Sequence, residues 1–301
     1  MVKEHGIENM IPIKFREDYY KAYSMGKIEE IRLRINRPIM FYNHNGEVYI
    51  EKSNSEVVMA EDLRETMEYI SGYSLYAFEN EIREGFITIK GGHRIGLAGK
   101  IVLENGKIKN ITNISSINIR ISHEIEGIAQ KVSKNIYEKE LHNLLIISPP
   151  AIGKTTILRD IVRIGSDVHR RKITVIDERS EIAATYMGAP ANNIGIRSDV
   201  LDGCPKDKGI MMALRALSPE IIAVDEIGTD EDVEAVKEAF NCGIYIFATV
   251  HGRNIDELKR KKAFKEIIEN KYFDRYLVLN KDINGNRIMK LYDTDYKEIE
   301  W

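Results

Sequence analysis

The spacing of apolar residues changes near residue 140 and divides the chain into two parts. In the first part, apolar and charged residues alternate strictly from Glu30 to Ile35, which predicts a strand with one buried face. Asn45-Gly46 and Asn105-Gly106 lie between β-rich runs and favour type I′ hairpins. The same criteria predict helices over residues 60–71 and 74–83, and strands over residues 86–89, 94–97, 100–103 and 117–121. We therefore expect residues 1–138 to form a small α+β domain.

Near-continuous apolar runs dominate the second part of the chain. They cover residues 144–147, 173–176, 221–224 and 245–250, and helical patterns lie between some of them over residues 155–164, 209–217 and 232–240. Buried strands that alternate with helices are typical of a mainly parallel sheet with both faces covered. Residues 276–279 and 288–291 flank Asn284-Gly285 and predict a closing hairpin, while residues 124–137 predict an amphipathic helix leading into this part. Residues 139–301 are therefore expected to form an α/β domain.

Composition and charge agree with a globular protein of two domains and exclude little else. Of the 301 residues 43% are apolar and 30% charged, and the net charge of −3 gives no support for a nucleic-acid or anionic-membrane partner. Cys204 and Cys242 form no metal-binding pair, which fits a reducing cytosol. The polar start from Met1 to Met10 predicts no signal peptide, and no apolar run approaches the roughly 18 residues of a membrane span. Membrane association is therefore expected only through a partner or a surface patch.

The first chemical motif follows the apolar run over residues 144–147 and opens a predicted helix. It is Ser148-Pro149-Pro150-Ala151-Ile152-Gly153-Lys154-Thr155, which has the strand, loop and helix start that a Walker A loop requires. Backbone N–H groups near Gly153 can surround a phosphate at the positive end of the helix. Lys154 would meet the β- and γ-phosphates of a nucleotide, and the Thr155 hydroxyl would ligate Mg²⁺. The predicted nucleotide-binding residues are Ser148, Pro149, Pro150, Ala151, Ile152, Gly153, Lys154, Thr155 and Thr156.

The loop departs from the Walker A pattern at its first position. The pattern has glycine where this chain has Ser148, and Pro149 and Pro150 stiffen the backbone without offering N–H donors. The donors that matter lie later in the loop. We therefore expect a stiffer loop that still binds phosphate.

A second motif ends the apolar run over residues 221–224 with two carboxylates, Asp225 and Glu226. Carboxylates at the end of a buried strand are costly unless they face cations, and Mg²⁺ would be such a partner. Asp225 fits a Walker B acid that holds the metal through water. Glu226 fits the group that orients or deprotonates an attacking water.

Two further polar groups follow apolar strands. Asp177-Glu178-Arg179-Ser180-Glu181 follows the run over residues 173–176, and Thr249-Val250-His251-Gly252-Arg253 ends the last core strand. Ligands of open α/β sheets bind at the carboxyl ends of the strands, so both groups are expected near the loop. His251 would contact the γ-phosphate and respond to its loss.

The order of these motifs resembles the secretion ATPase superfamily, which includes type II and type IV secretion ATPases and pilus motors. Those proteins carry a Walker A loop, an acidic Asp box, a Walker B strand and a His box. Within the superfamily the chain is most similar to the family of stage III sporulation protein AA. The residues that carry this similarity are Asp177-Glu178-Arg179-Ser180-Glu181-Ile182-Ala183, Val224-Asp225-Glu226-Ile227-Gly228, His251-Gly252-Arg253-Asn254, Glu30-Ile31-Arg32-Leu33-Arg34-Ile35-Asn36-Arg37-Pro38 and Gly91-Gly92-His93-Arg94-Ile95-Gly96.

The chain also departs from the pilus and type II motors. Those proteins usually have Gly-Glu-Ile-Arg at the Walker B strand, whereas this chain has Asp225 and Gly228 in place of the glycine and the arginine. Its Asp box exchanges the first two acids of the pilus-motor pattern. With two cysteines it cannot build the four-cysteine zinc site of type II assembly ATPases.

The resemblance implies a RecA-like P-loop ATPase domain that follows a smaller α+β domain, with ATP and Mg²⁺ as cofactors. It implies a hexameric ring of identical chains at the cytoplasmic face of a complex of integral membrane proteins, in the mother cell that surrounds a forespore. Glu178 and Glu181 of the Asp box and His251 of the His box join Lys154 and Glu226 as implied catalytic residues. Arg94 and Arg120 match the positions from which pilus motors supply arginines to a nucleotide shared between neighbours.

Three alternatives remain open from the residues alone. A nucleic-acid-dependent RecA-like ATPase would need a basic groove, and the cluster of Arg32, Arg34 and Arg37 is the candidate, although no DNA or RNA partner is expected. A GTPase would need Asn-Lys-x-Asp, whereas residues 280–283 place the acid one position early. A scaffold that binds nucleotide without turnover is compatible with Ser148 but leaves Asp225 and Glu226 without a purpose.

Overall fold

The computed structural model describes residues 6–50, 56–71, 82–83, 85–89, 91–123, 125–283 and 285–301. These residues form two compact units, Met1–His123 and Glu124–Trp301. The predicted helix over residues 74–83 lies mostly outside the described residues, and so does Asn284 of the predicted closing turn.

The first unit is built around an antiparallel sheet. Among its described residues the sheet has six strands in the order β3-β2-β1-β6-β5-β4. Its buried side chains include Ile31, Leu33, Phe41 and Ile119, as the alternating pattern requires. The elements are a 3₁₀ turn (Ile13–Phe15), helices α1 (Ile7–Met10), α2 (Arg16–Ser24) and α3 (Ala60–Ser71), and strands β1 (Glu30–Arg34), β2 (Met40–Asn43), β3 (Gly46–Val48), β4 (Phe86–Ile89), β5 (His93–Glu104) and β6 (Lys107–Arg120).

Strands β5 and β6 are longer than the sequence predicted. The two short strands expected over residues 94–97 and 100–103 form one strand, and residues 117–121 contribute to the end of its partner. Gly99 lies at a shift of register between Ala98 and Lys100, where a side chain would meet the carbonyl oxygen of Thr112 at 2.6 Å. The expected break is therefore a β-bulge that bends a continuous hairpin.

The second unit is a parallel α/β sheet with an antiparallel edge. In its described residues the eight strands follow the order β14-β13-β12-β7-β11-β10-β8-β9, and all neighbours from β12 to β9 are parallel. The strands are β7 (Leu144–Ser148), β8 (Ile173–Asp177), β9 (Ser198–Asp202), β10 (Ile221–Val224), β11 (Tyr245–His251), β12 (Arg275–Lys281), β13 (Arg287–Tyr292) and β14 (Glu298–Ile299). The helices are α4 (Gln130–Tyr137), α5 (Lys154–Asp167), α6 (Lys206–Ala216), α7 (Asp230–Asn241), α8 (Ile255–Arg260) and α9 (Lys262–Glu269).

Both faces of this sheet are covered, which explains the continuous apolar runs. Successive residues of β7 point to opposite faces, so Leu144 and Ile146 join one buried cluster while Leu145 and Ile147 join another. Strand β9 was not predicted because it is a half-exposed edge strand with only two apolar residues, Val200 and Leu201, between Asp199 and Asp202. Helices α8 and α9 were also missed, since each is short.

The division between the units falls earlier than the expected boundary between residues 138 and 139. Helix α4 belongs to the second unit, because Tyr137 is buried there and donates a hydrogen bond from its hydroxyl to the carbonyl of Ile161 at 2.9 Å. The helix also begins later than predicted, at Gln130, because Gly127 has φ +81° and interrupts the helical path.

Asp160 fixes the segment that leads into α4. Its buried carboxylate accepts the backbone N–H groups of Gly127 at 3.1 Å and Ala129 at 2.8 Å, and it pairs with Arg163 at 2.6 Å. Without this acceptor, two backbone donors and an arginine would lose their partner.

We predict that Asp160→Ala lowers the free energy of unfolding of the second unit by about 2–3 kcal/mol, because buried donors are left unpaired. Urea denaturation of the whole chain measures this change. Asp256→Ala removes an exposed carboxylate that bonds Lys259 at 3.3 Å, and it should change the same quantity by less than about 0.5 kcal/mol. Equal stability of the two variants would show that Asp160 does not hold the segment.

Candidate active site

The loop after β7 leads directly into α5 and has the geometry of an anion site. Gly153 caps the helix with φ +96°, and Lys154 is the first helical residue. The N–H groups of the first turn of a helix have no partners within the helix and attract negative charge. Thr156 is half-buried within that turn.

The serine at the start of the loop is accommodated without strain. Ser148 is the last residue of β7, it is fully buried, and its hydroxyl donates to the carbonyl of Pro149 at 2.7 Å. The residues of this loop with positive φ are Ala151, at +59°, and Gly153. Position 148 therefore does not need the conformational freedom of glycine.

Lys154 and Thr155 contact the two acids that follow β10. The Lys154 ammonium lies 3.0 Å from Oδ1 of Asp225 and 2.7 Å from Oε2 of Glu226. The Thr155 hydroxyl donates to Oδ2 of Asp225 at 2.6 Å. Burial disfavours the charge of Lys154, but the two carboxylates outweigh that effect and raise the pKa of its ammonium. The structure thus brings together the predicted lysine, metal ligand and general base.

Thr249 is the residue of the last core strand that supports this cluster. It is fully buried, its hydroxyl hydrogen-bonds Oδ1 of Asp225, and the same hydroxyl accepts the backbone N–H of Glu226 at 2.8 Å. Glu226 has φ +51°, so its carboxylate is aimed by a turn that a non-glycine residue rarely adopts. The sequence predicted that the end of this strand lies near the loop, but it did not predict that Thr249 positions Asp225 and Glu226.

His251 lies further along the same strand than Thr249. It pairs with Ser148 in the parallel ladder, so it reaches the edge of the loop, and its side chain is exposed. Its backbone carbonyl accepts the ammonium of Lys261 at 2.5 Å. The structure therefore places His251 beside the loop without giving its ring a contact with the acids.

The second acidic strand end converges on the same pocket, as the sheet topology predicted. The pocket is lined by Asp177, Glu178, Arg179, Glu181, Lys206, Asp225 and Glu226. Within it Glu178 pairs with Lys206, the first residue of α6. Lys206 was not identified from the sequence, and its position at a helix start after a polar loop gave little signal.

Asp177 organises this acidic loop from within. It is almost fully buried, and its carboxylate accepts the backbone N–H groups of Glu181, Ile182 and Ala183 at 2.8–3.0 Å. Burial raises the pKa of Asp177 to about 6, although the three donors act in the opposite direction. Arg159 holds the other side of the loop by donating to the carbonyl groups of Glu181 and Ile182 at 2.6 Å. The loop therefore presents Glu178 and Glu181 on a fixed backbone.

Arg94 and Arg120, the two arginines predicted from the sequence to act on a shared nucleotide, lie side by side in the sheet of the first unit. Arg94 and Arg120 are direct partners in the β5–β6 ladder, so their side chains lie on the same face of the sheet. The guanidinium of Arg94 lies 3.6 Å from the centre of the Phe86 ring. In the cluster considered for nucleic acid, Arg32 pairs with Glu30 and Arg34 donates to the sulfur of Met40 at 3.1 Å.

The donor set after β7 and β10 suits Mg²⁺. The Thr155 hydroxyl and the Asp225 carboxylate lie within hydrogen-bond distance of each other, and Mg²⁺ is usually held by one or two carboxylates together with substrate phosphates. In the described part of the chain no cluster of three or more His, Cys, Asp or Glu side chains forms a metal cage. Within the same ranges every helix is too short or too polar to span a lipid bilayer.

Solved structures with a similar fold include an ATPase and a pilus retraction motor. The ATPase DotB of Legionella pneumophila superposes with a TM-score of 0.63 over 95% of this chain and 82% of its own, at 16% identity. The pilus retraction motor PilT with bound ADP superposes with a TM-score of 0.62 over 93% of this chain and 82% of its own, at 17% identity. At these identities the likeness shows a common fold.

Sequence comparison gives a narrower assignment. The family model described as sporulation stage III, protein AA matches residues 1–299. Stage III sporulation protein AA of Bacillus subtilis (strain 168) is 41% identical over 273 residues, which cover 89% of this chain and 88% of that protein. The chain belongs to the stage III sporulation protein AA family.

Proposed function

We propose that this chain is a Mg²⁺-dependent ATPase whose second unit is a RecA-like P-loop domain. One observation carries the proposal: Lys154 and Thr155, at the helix start after β7, contact Asp225 and Glu226, at the end of β10. A cation and a hydroxyl at a phosphate-binding helix start, facing two acids, are the groups that nucleotide hydrolysis requires.

Each side chain has a role in the proposed reaction. Residues 148–156 bind the phosphate chain of ATP, and Lys154 leaves its carboxylate partners to meet the β- and γ-phosphates. Glu226 orients a water molecule and accepts its proton while the water oxygen attacks the γ-phosphorus. The bond between the γ-phosphorus and the bridging oxygen then breaks, and ADP and phosphate are released.

The metal is assigned to two residues. Thr155 and Asp225 would hold Mg²⁺, which neutralises charge on the β- and γ-phosphates when bound. Thr249 keeps Asp225 in place by a hydrogen bond from its buried hydroxyl. Glu178 and Glu181 line the same pocket as Asp225 and Glu226, and His251 is proposed to contact the γ-phosphate from the edge of the loop.

The wider role is also a proposal. The family relative is a sporulation protein, and the structural neighbours are an ATPase and a pilus retraction motor. We infer a hexameric ring at the cytoplasmic face of a complex of integral membrane proteins, in the mother cell. Hydrolysis would power assembly of that complex or transport through it. Arg94 and Arg120 would act on the nucleotide of a neighbouring subunit.

Lys154→Ala tests the binding site. Removing the ammonium that meets the phosphates should weaken ATP binding and abolish most phosphate release by the purified protein. Arg171→Ala serves as a control, because that arginine pairs with Glu220 instead of with the residues of the pocket. Phosphate release by Lys154→Ala at the wild-type rate would contradict the assignment.

Glu226→Gln separates binding from chemistry. The amide keeps the size of the side chain but cannot accept a proton from water, so turnover should fall by about 10² or more while ATP binding persists. Steady-state phosphate release and equilibrium ATP binding measure the two effects. If both were lost together, Glu226 would be a structural residue.

A mixing experiment tests whether neighbouring chains share the site. A chain with Arg94→Ala and Arg120→Ala keeps Glu226, whereas a Glu226→Gln chain keeps both arginines. If the arginines act on a neighbour, mixing the two inactive proteins should restore part of the activity, and wild-type turnover per chain should rise with concentration.

A control for this experiment replaces Lys100 and Lys107, exposed residues of β5 and β6, with alanine. That variant should keep its activity without mixing. No recovery on mixing, together with a wild-type rate per chain that is independent of concentration, would mean that each chain has a self-contained site.

A further inference from the structure

Arg287 lies against the loop that precedes α5. A Cβ atom placed on Gly153 would be 2.5 Å from Nη2 of Arg287 and 3.1 Å from its Cζ, so the Nη2 end of the guanidinium packs on this glycine. Gly153 is the residue immediately before Lys154. A cation from the C-terminal hairpin is therefore adjacent to the proposed phosphate-binding backbone.

The sheet explains why a residue so distant in sequence reaches this loop. Strand β12 runs parallel to β7, with Val278 beside Ile147, so the carboxyl ends of both strands lie at the same edge. Strand β12 continues to Lys281, whose partner across the hairpin is Arg287. The turn is closed by Asp282, which accepts the backbone N–H of Asn286 at 2.8 Å.

Arg287 is an exposed residue whose guanidinium lies beside the loop. Among the described residues no carboxylate or carbonyl oxygen forms an ion pair or hydrogen bond with Arg287, and partial desolvation lowers the pKa of its guanidinium. By contrast, Arg159, Arg197 and Arg275 of this unit donate to backbone carbonyl groups, and Arg163 and Arg171 donate to carboxylates. The N–H groups of Arg287 are therefore available to an anion that enters the loop.

Arg287 adds a positive charge beside this loop. The ammonium of Lys154 faces the two carboxylates of Asp225 and Glu226, which leaves a formal excess of one negative charge beside a site proposed for an anion. A guanidinium offers two parallel N–H donors to a phosphate group, a geometry that lysine cannot provide.

We propose that Arg287 binds the phosphate chain of the nucleotide from within the same chain. This inference rests on the proposed ATPase function and assigns its site a residue from the C-terminal hairpin. Arg287 acts as a phosphate-binding residue, whereas Lys154 is also engaged with Asp225 and Glu226. The nucleotide site of one chain therefore draws on the loop after β7 and on the start of β13.

The test compares equilibrium binding of a fluorescent ATP analogue, with Mg²⁺, to the wild-type chain and to Arg287→Ala. Inorganic pyrophosphate is used as a competitor in the same assay, because it presents phosphates without the nucleoside. The loss of a charged hydrogen bond should weaken both ligands by about tenfold or more. Arg287→Lys keeps the positive charge but lacks the two parallel N–H donors of the guanidinium. It should bind the ATP analogue and pyrophosphate with intermediate affinity.

Lys290→Ala is the matched control, since it removes a cation of the same strand whose ammonium bonds Glu298 at 2.8 Å. It should leave both affinities unchanged, and thermal unfolding should show that all variants are folded. Unchanged or tighter ATP binding by Arg287→Ala would overturn the inference, as would weaker ATP binding with unchanged pyrophosphate binding. If the wild-type chain bound ATP no better than Lys154→Ala, the proposed function itself would fail.

Discussion

The ion pairs that Lys154 makes with Asp225 and Glu226 join segments more than 70 residues apart in sequence. They are possible because β7 and β10 lie on either side of β11 and all three strands run parallel, so their carboxyl ends share one edge. Thr249, at that edge of β11, bonds to Asp225 and to the backbone of Glu226. The middle strand therefore sets the distance between the cation and the acids.

Buried charge is tolerated at this edge because each group is compensated. Lys154 is mostly shielded from water, and its cost of desolvation is offset by two carboxylates. Asp177 is compensated by three backbone donors, and its raised pKa shows that they do not fully offset its burial. The two acidic strand ends thus differ: Asp177 stabilises its own loop, whereas Asp225 and Glu226 face groups that a phosphate could displace.

The cations around the site come from several elements. Lys154 is presented by α5, Lys206 begins α6, and Arg287 opens β13 at the antiparallel edge of the sheet. Each of these residues begins its element directly after a loop or turn that follows a parallel strand. Its side chain therefore lies near the carboxyl edge of the parallel strands. In the first unit, Arg94 and Arg120 share one row of an antiparallel ladder. Ligands that bind at the carboxyl edge of such a sheet can therefore draw charge from residues spread widely along the chain.

The sequence by itself predicted most of the buried strands and the residues now proposed for the main site. Short continuous apolar runs that alternate with helical patterns predict strands buried on both faces, and an apolar strand followed by Gly153-Lys154-Thr155 and a helix start predicts a phosphate-binding loop. Local rules also gave Asp225 and Glu226, because two acids at the end of a buried strand need cations. Only the tertiary structure decided which distant residues meet: Thr249 beneath Asp225, Lys206 on Glu178, and Arg287 on Gly153. Such contacts depend on the lateral order of strands, and hydrophobic periodicity carries no information about that order.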